Sequence, residues 1–270
     1  MKFRVERNPA VAGLFYPKDK DKLFSVLSEL ISDEERKENV FGVISPHAGY
    51  VYSGKIAGKV FSRIEVPERV LIICPNHTGY GVDVSLFPYG VWNFPGFSVE
   101  IDEEINDFLL SNSDIFQLDT GAHLREHSAE VIVPFLYYKR PNVKISVICL
   151  RTLNVKILRS LGDLIARLSE NLDVLLIASS DMNHYEVDEV SRKKDKKAIE
   201  KIKSLDYDGL IEIVFEDNIT ICGIAPIYVL LFSAVKRGKK NVELVAYSNS
   251  GDVTGDYTSV VGYAGLIIKD

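Results

Sequence analysis

Asp173-Val174-Leu175-Leu176-Ile177-Ala178-Ser179-Ser180-Asp181-Met182-Asn183-His184 changes character halfway, from an apolar run to a polar stretch that ends in histidine. A short continuous apolar run bounded by polar residues reads as a strand buried on both faces. Two other runs end the same way: residues 40–44 before Ser45-Pro46-His47, and residues 69–74 before Pro75-Asn76-His77. Residues 144–150 and 242–247 supply further strands, and a last apolar run over 260–268 is expected to close the sheet. Helical periodicity covers residues 20–31, 54–64, 102–111, 126–138, 154–169, 189–203, 207–215 and 223–237. Strands interleaved with helices predict an α/β fold, a three-layer domain with a central, largely parallel or mixed sheet flanked by helices. Sites in such sheets form beyond the carboxyl ends of the strands. Three of the five histidines are expected there.

The 270 residues are 46% apolar and 26% charged, an ordinary globular balance. No repeat, low-complexity segment or linker-like run divides them, so one domain over 1–270 is expected. The net charge of −6 argues against a chain that neutralises nucleic-acid phosphates or binds membranes through a polybasic patch. The longest apolar stretch, residues 221–235, is interrupted by Gly223 and Pro226 and is shorter than the roughly 20 residues a membrane helix needs. Met1-Lys2-Phe3-Arg4-Val5-Glu6-Arg7 has no signal-peptide core. A cytoplasmic protein is the expectation. Cys74, Cys149 and Cys222 are too sparse and too far apart for a disulfide framework.

Taken together, His47, His77 and His184 suit a mononuclear metal site, since neutral imidazoles favour iron, copper or zinc. Cys222 sits just before an apolar helix, where a lowered thiol pKa would suit a metal ligand or a nucleophile. Cys74 and Cys149 read as core residues. His123-Leu124-Arg125-Glu126-His127 has the order of an inverted zinc-protease motif. That motif needs one continuous helix, which Gly121 and Pro134 oppose. Gly49-Tyr50-Val51-Tyr52-Ser53-Gly54-Lys55-Ile56 has P-loop spacing, but Ile56 stands where the magnesium-binding hydroxyl is required. The basic run over residues 192–197 reads as a solvated helix face.

Several blocks, in order, resemble the Memo family, whose prokaryotic members are called AmmeMemoRadiSam system protein B. They are Asn8-Pro9-Ala10-Val11-Ala12-Gly13-Leu14-Phe15-Tyr16-Pro17, Pro46-His47-Ala48-Gly49-Tyr50-Val51-Tyr52-Ser53-Gly54, and Pro75-Asn76-His77. Glu126-His127-Ser128-Ala129-Glu130 with Pro134-Phe135-Leu136, Ser179 to Tyr185, and Cys222-Gly223 follow, so the resemblance spans nearly the whole chain. It implies a fold like that of the class III extradiol, or LigB-type, non-haem iron dioxygenases. Those enzymes hold their metal with two histidines and a carboxylate.

In the Memo pattern a cysteine replaces the carboxylate. The resemblance thus implies His47, His77 and Cys222 as metal ligands, with His184 as the acid/base and Asp181 beside it. Glu126, His127 and Glu130 are implied at the pocket rim or behind the ligands, with Glu126 and Glu130 on one helix face at i, i+4 spacing. A thiolate ligand favours softer metals and makes the site oxidisable, and iron or copper is the implied cofactor. The family name implies an AMMECR1-type protein and a radical SAM protein as partners. The leading expectation is a metal-dependent redox enzyme related to the dioxygenases. The alternative is a non-catalytic protein whose pocket holds a small ligand or a partner peptide. A third reading is a Cys–His hydrolase with Cys222 as nucleophile.

Overall fold

Alternate residues of one central strand face two different cores. Leu71 and Ile73 pack with Leu161, Ile165 and Tyr228, while Val70, Ile72 and Cys74 pack with Leu27, Val60, Phe61 and Phe135. A strand places successive side chains on opposite faces, so a run with no polar position must be covered on both sides. That is the physical content of a three-layer fold, and the computed structural model, which describes residues 4–32 and 37–270, has it. Met1, Lys2 and Phe3, part of the N-terminal stretch read above, lie outside the described residues.

The strands are β1 (Arg4–Arg7), β2 (Gly42–Ser45), β3 (Arg69–Pro75), β4 (Val84–Leu86), β5 (Tyr89–Phe94), β6 (Phe97–Ile101), β7 (Gln117–Leu118), β8 (Lys144–Leu150), β9 (Val174–Ser179), β10 (His184–Glu186), β11 (Asn241–Asn249) and β12 (Val260–Lys269). The helices are α1 (Lys20–Leu30), α2 (Tyr50–Arg63), α3 (Glu103–Asn112), α4 (Val133–Lys139), α5 (Val155–Asn171), α6 (Asp188–Lys203), α7 (Tyr207–Glu216), α8 (Ile224–Lys236) and α9 (Gly251–Thr254). The sheet runs β1-β5-β6-β8-β3-β9-β2-β12-β10, with β11 on β12, β4 on β8 and β7 on β4. Its centre, β8-β3-β9-β2, is parallel. β12 runs antiparallel to β2, which makes the sheet mixed. Among the described residues no helix is long and apolar enough to cross a membrane.

Two expectations change. The run over 260–268 does not close the sheet, because β12 lies between β2 on one side and β10 and β11 on the other. The helix expected over 126–138 forms only from Val133, with Pro134 in its first turn, where a missing N–H costs nothing. Upstream, the Glu126 carboxylate accepts the N–H groups of His127 and Ser128, each at 3.0 Å. A side chain that captures its neighbours' amides competes with helix formation. The hairpin of β5 and β6 was not anticipated, and it turns through Gly96 at φ +79°. The P-loop spacing is an accident of helix α2, which starts at Tyr50 and contains Gly54 and Lys55. In the basic run, Lys194 and Lys197 form ion pairs with Glu186 and Asp217.

Candidate metal centre

β3, β9 and β2 are adjacent and parallel, so the loops beyond their carboxyl ends must meet. They bring together His47 after β2, His77 after β3, and Asp181 and His184 after β9. Cys222 arrives from the turn before α8, where Gly223 lies against the end of β9. A Cβ on Gly223 would stand 2.3 Å from the Ser179 carbonyl oxygen and 2.4 Å from the Ser180 Cβ. Only glycine lets that turn come close enough for the Cys222 Sγ to lie 3.4 Å from His47 Nε2.

Hydrogen-bond direction fixes where each imidazole carries its proton. Ser179 Oγ donates to the Ser128 carbonyl at 2.7 Å. Its only proton is therefore used, and at 2.7 Å it must accept from His47 Nδ1. His77 Nδ1 donates to Glu126 Oε1 at 2.8 Å. His184 Nδ1 donates at 2.8 Å to the Thr220 carbonyl, which can only accept. All three rings thus hold a proton on Nδ1 and leave Nε2 unprotonated, that of His47 facing the Cys222 thiol, the arrangement a metal-binding imidazole requires. The ligand atoms of His47, His77 and Cys222 lie within 4.8 Å of one another.

Electrostatics agree with this assignment for His47 and His184. Burial, reinforced by the neighbouring His127, His77 and His184, holds His47 well below its ordinary pKa and so keeps it neutral. Burial also lowers His184. Burial would lower His77 as well, but the hydrogen bond to Glu126 and its charge outweigh it and raise the pKa. Asp181 is pushed up to about 7 by burial, although the His47 N–H donates to its Oδ1 at 2.9 Å.

Cys222 differs from the expectation of a lowered thiol pKa. Burial first, and then the charge of Asp181, push it up. A buried thiol beside a carboxylate is a poor nucleophile until a cation takes its proton's place. The raised thiol pKa speaks against the hydrolase reading, which needs a thiolate, although the Cys222–His47 distance is that of a Cys–His pair.

The pocket-rim residues separate into different roles. Glu126 lies behind His77 and accepts four N–H bonds, from His77 N, His77 Nδ1, His127 N and Ser128 N. The His127 ring stacks on His77 with centroids 4.7 Å apart and lies 5.4 Å from His47. His77, Glu126 and His127 also form a second group with ligand atoms within 4.8 Å. Glu130 does not share a face with Glu126. It pairs with Arg7 at 2.7 Å and accepts from the Tyr16 hydroxyl and the N–H groups of Ala10 and Val11. This clamps the N-terminal segment as a wall, with the Phe15 ring 4.8 Å from His127. His123 lies elsewhere, buried, with its Nε2 2.9 Å from Ser85 Oγ, so it forms no zinc pair with His127. Ser179, Thr220 and Phe15 were missed as supports. Ser179 adjoins a histidine-bearing loop and could have been found, but Thr220 carries no such signal.

Residues 7–267 match the family model described as Memo-like protein. A MEMO1 family protein of Aquifex aeolicus is 42% identical over 264 residues, covering 97% of this chain and 98% of the relative. Another, from Sulfurisphaera tokodaii, is 41% identical over 283 residues, covering 98% and 99%. Among solved structures, an uncharacterized protein from Escherichia coli K12 matches with a TM-score of 0.53 at 9% identity, over 84% of this chain and 98% of that one. That likeness is one of fold.

Proposed function

This chain belongs to the Memo family, and on that premise we propose that it is a metal-dependent redox protein whose iron or copper is held by His47, His77 and Cys222. The observation that carries this reading is the set of hydrogen bonds that leaves Nε2 of His47 and His77 unprotonated, with the half-buried Cys222 thiol 3.4 Å from that of His47. Two imidazoles and a thiolate suit copper or iron better than a hard oxygen-seeking ion. When bound, such a metal supplies one-electron chemistry and activates dioxygen.

The chain's own residues supply the rest. Thr220 holds His184 through both its N–H and its Nδ1, which leaves His184 Nε2 to take a proton from a bound substrate. Asp181, whose pKa burial pushes up to about 7, can hold or release a proton beside His47, its Oδ2 lying 4.0 Å from His47 Nε2. The wall of Phe15 and His127 narrows access for water. Because the thiol must lose its proton to bind, metal uptake releases protons and strengthens as pH rises.

Metal content of anaerobically purified protein tests the proposal. Wild type loaded with Fe(II) or Cu(I) is expected to hold about one equivalent, and His47→Ala and Cys222→Ala should each weaken binding at least tenfold. Wild type that stays metal-free after loading, or variants that bind as well as wild type, would overturn it.

A further inference from the structure

Among the described residues, Tyr185 is the bulky residue beside the metal pocket whose φ is positive although its ring is largely exposed. Its φ is +62°, in the left-handed region that a large side chain avoids. It is also the extra residue of a β-bulge, since His184 pairs with Val261 and Glu186 with Val260. A bulge turns a side chain out of the sheet's alternation. Here it leaves the Tyr185 ring 78% exposed, with its centroid 5.5 Å from the His184 ring in an edge-on contact. Strain that gains no burial is expected where a ligand completes the contact.

The ring borders a cleft of about 380 Å³ that Tyr52 and Tyr263 also line, together with Ser250, Thr254 and Asp256. Tyr263 is buried, and its hydroxyl is raised by burial and then by Asp181, Tyr52 and Tyr185. The contact of the Tyr185 ring with His184 joins the cleft to the metal pocket. Among the described residues no lysine or arginine lines this cleft. Its only formal charge is the Asp256 carboxylate, whose Oδ1 accepts from Thr258. Aromatic faces with one carboxylate and no cation attract an organic cation and repel an anion.

We propose that this cleft is a subsite for the non-reacting end of the substrate, that it selects a protonated amine, and that Tyr185 is its specificity-determining residue. The subsite rests on the metal-site reading only for its place beside the reacting centre. Binding is therefore measured in both metal-loaded wild type and His47→Ala, with metal content determined in each sample.

Benzylamine, benzyl alcohol and benzoate share one ring and differ in charge, and chemical-shift titration reads their affinities. Benzylamine is expected to bind at least tenfold more tightly than benzoate, with benzyl alcohol between, in both proteins. Tyr185→Gly should weaken benzylamine at least fivefold at unchanged metal content. It should also raise Tm by about 2 °C, because glycine relieves the positive φ. Tyr185→Phe should bind like wild type. Equal affinity for the three probes, no binding of any of them, or benzylamine affinity unchanged in Tyr185→Gly would overturn the subsite. A lower Tm in Tyr185→Gly would show a ring that packs for stability, and would overturn it too.

Discussion

Replacing Arg7 by methionine is expected to cost about 3–5 kcal/mol of folding stability, the usual penalty for stripping one partner from a buried ion pair. Both side chains of the Arg7–Glu130 pair are fully buried, 2.7 Å apart. Arg7 also donates to the carbonyls of His123 at 2.8 Å and Glu126 at 2.7 Å, and its guanidinium lies 4.1 Å from the centre of the Trp92 ring. Methionine keeps much of the volume and the contact with Trp92. It leaves Glu130 charged and buried with only three neutral donors, Tyr16 and the amides of Ala10 and Val11.

Urea unfolding of Arg7→Met beside wild type measures the loss. A change below about 1 kcal/mol is what an exposed pair gives, and would mean that water reaches this one. The double variant Arg7→Met, Glu130→Gln should recover part of the loss, since no lone buried charge then remains. Because Glu130 clamps residues 10–16, Arg7→Met should also loosen Phe15 from His127 and widen the pocket mouth.

The sheet centre was legible because residues 70–74 and 174–178 have no polar position to break the pattern, and residues 145–150 have only Ser146. Strands such as β5, with polar and apolar residues intermixed beside Gly90 and Gly96, gave no such signal. The convergence of His47, His77 and His184 was legible too, since each directly follows a buried strand and parallel neighbours must bring those ends together. The region after Arg125 was misread for a local reason. Glu126 looked like a helix residue at i, i+4 from Glu130, but its carboxylate turns inward to the amides of His77, His127 and Ser128. The two carboxylates then turn to different tasks. What a side chain does with its own backbone is invisible to periodicity. The pKa of Cys222 was misjudged for a related reason: position before a helix is written in the sequence, whereas burial beside Asp181 is a product of the fold.

Glu126→Gln is expected to weaken metal binding 10–100-fold although Glu126 is not among the proposed ligands His47, His77 and Cys222, the usual effect of altering the group behind a histidine ligand. The carboxylate can only accept, so it forces the His77 proton onto Nδ1 and presents Nε2 forward. An amide can turn its NH2 toward the ring and allow the opposite tautomer. The same substitution has a signature in acid. Burial alone would raise the Glu126 pKa, but the hydrogen bond and charge of His77, the charge of His127 and the Ser128 N–H hold it at about 2, against 4.5 ordinarily.

A carboxylate depressed in the folded state contributes stability that is complete above its unfolded pKa and is lost as pH falls through the folded one. At 1.36 kcal/mol per unit, this contribution is at most about 3.4 kcal/mol, and it disappears between about pH 4.5 and 2. Wild type should therefore lose stability over that window more steeply than Glu126→Gln. If metal affinity and acid profile both match wild type, the His77 tautomer is set by something other than Glu126. If only the acid profile changes, the carboxylate stabilises the fold without orienting the ligand. A joint change ties the same proton on His77 Nδ1 to both the stability of the loop and the readiness of Nε2 to bind.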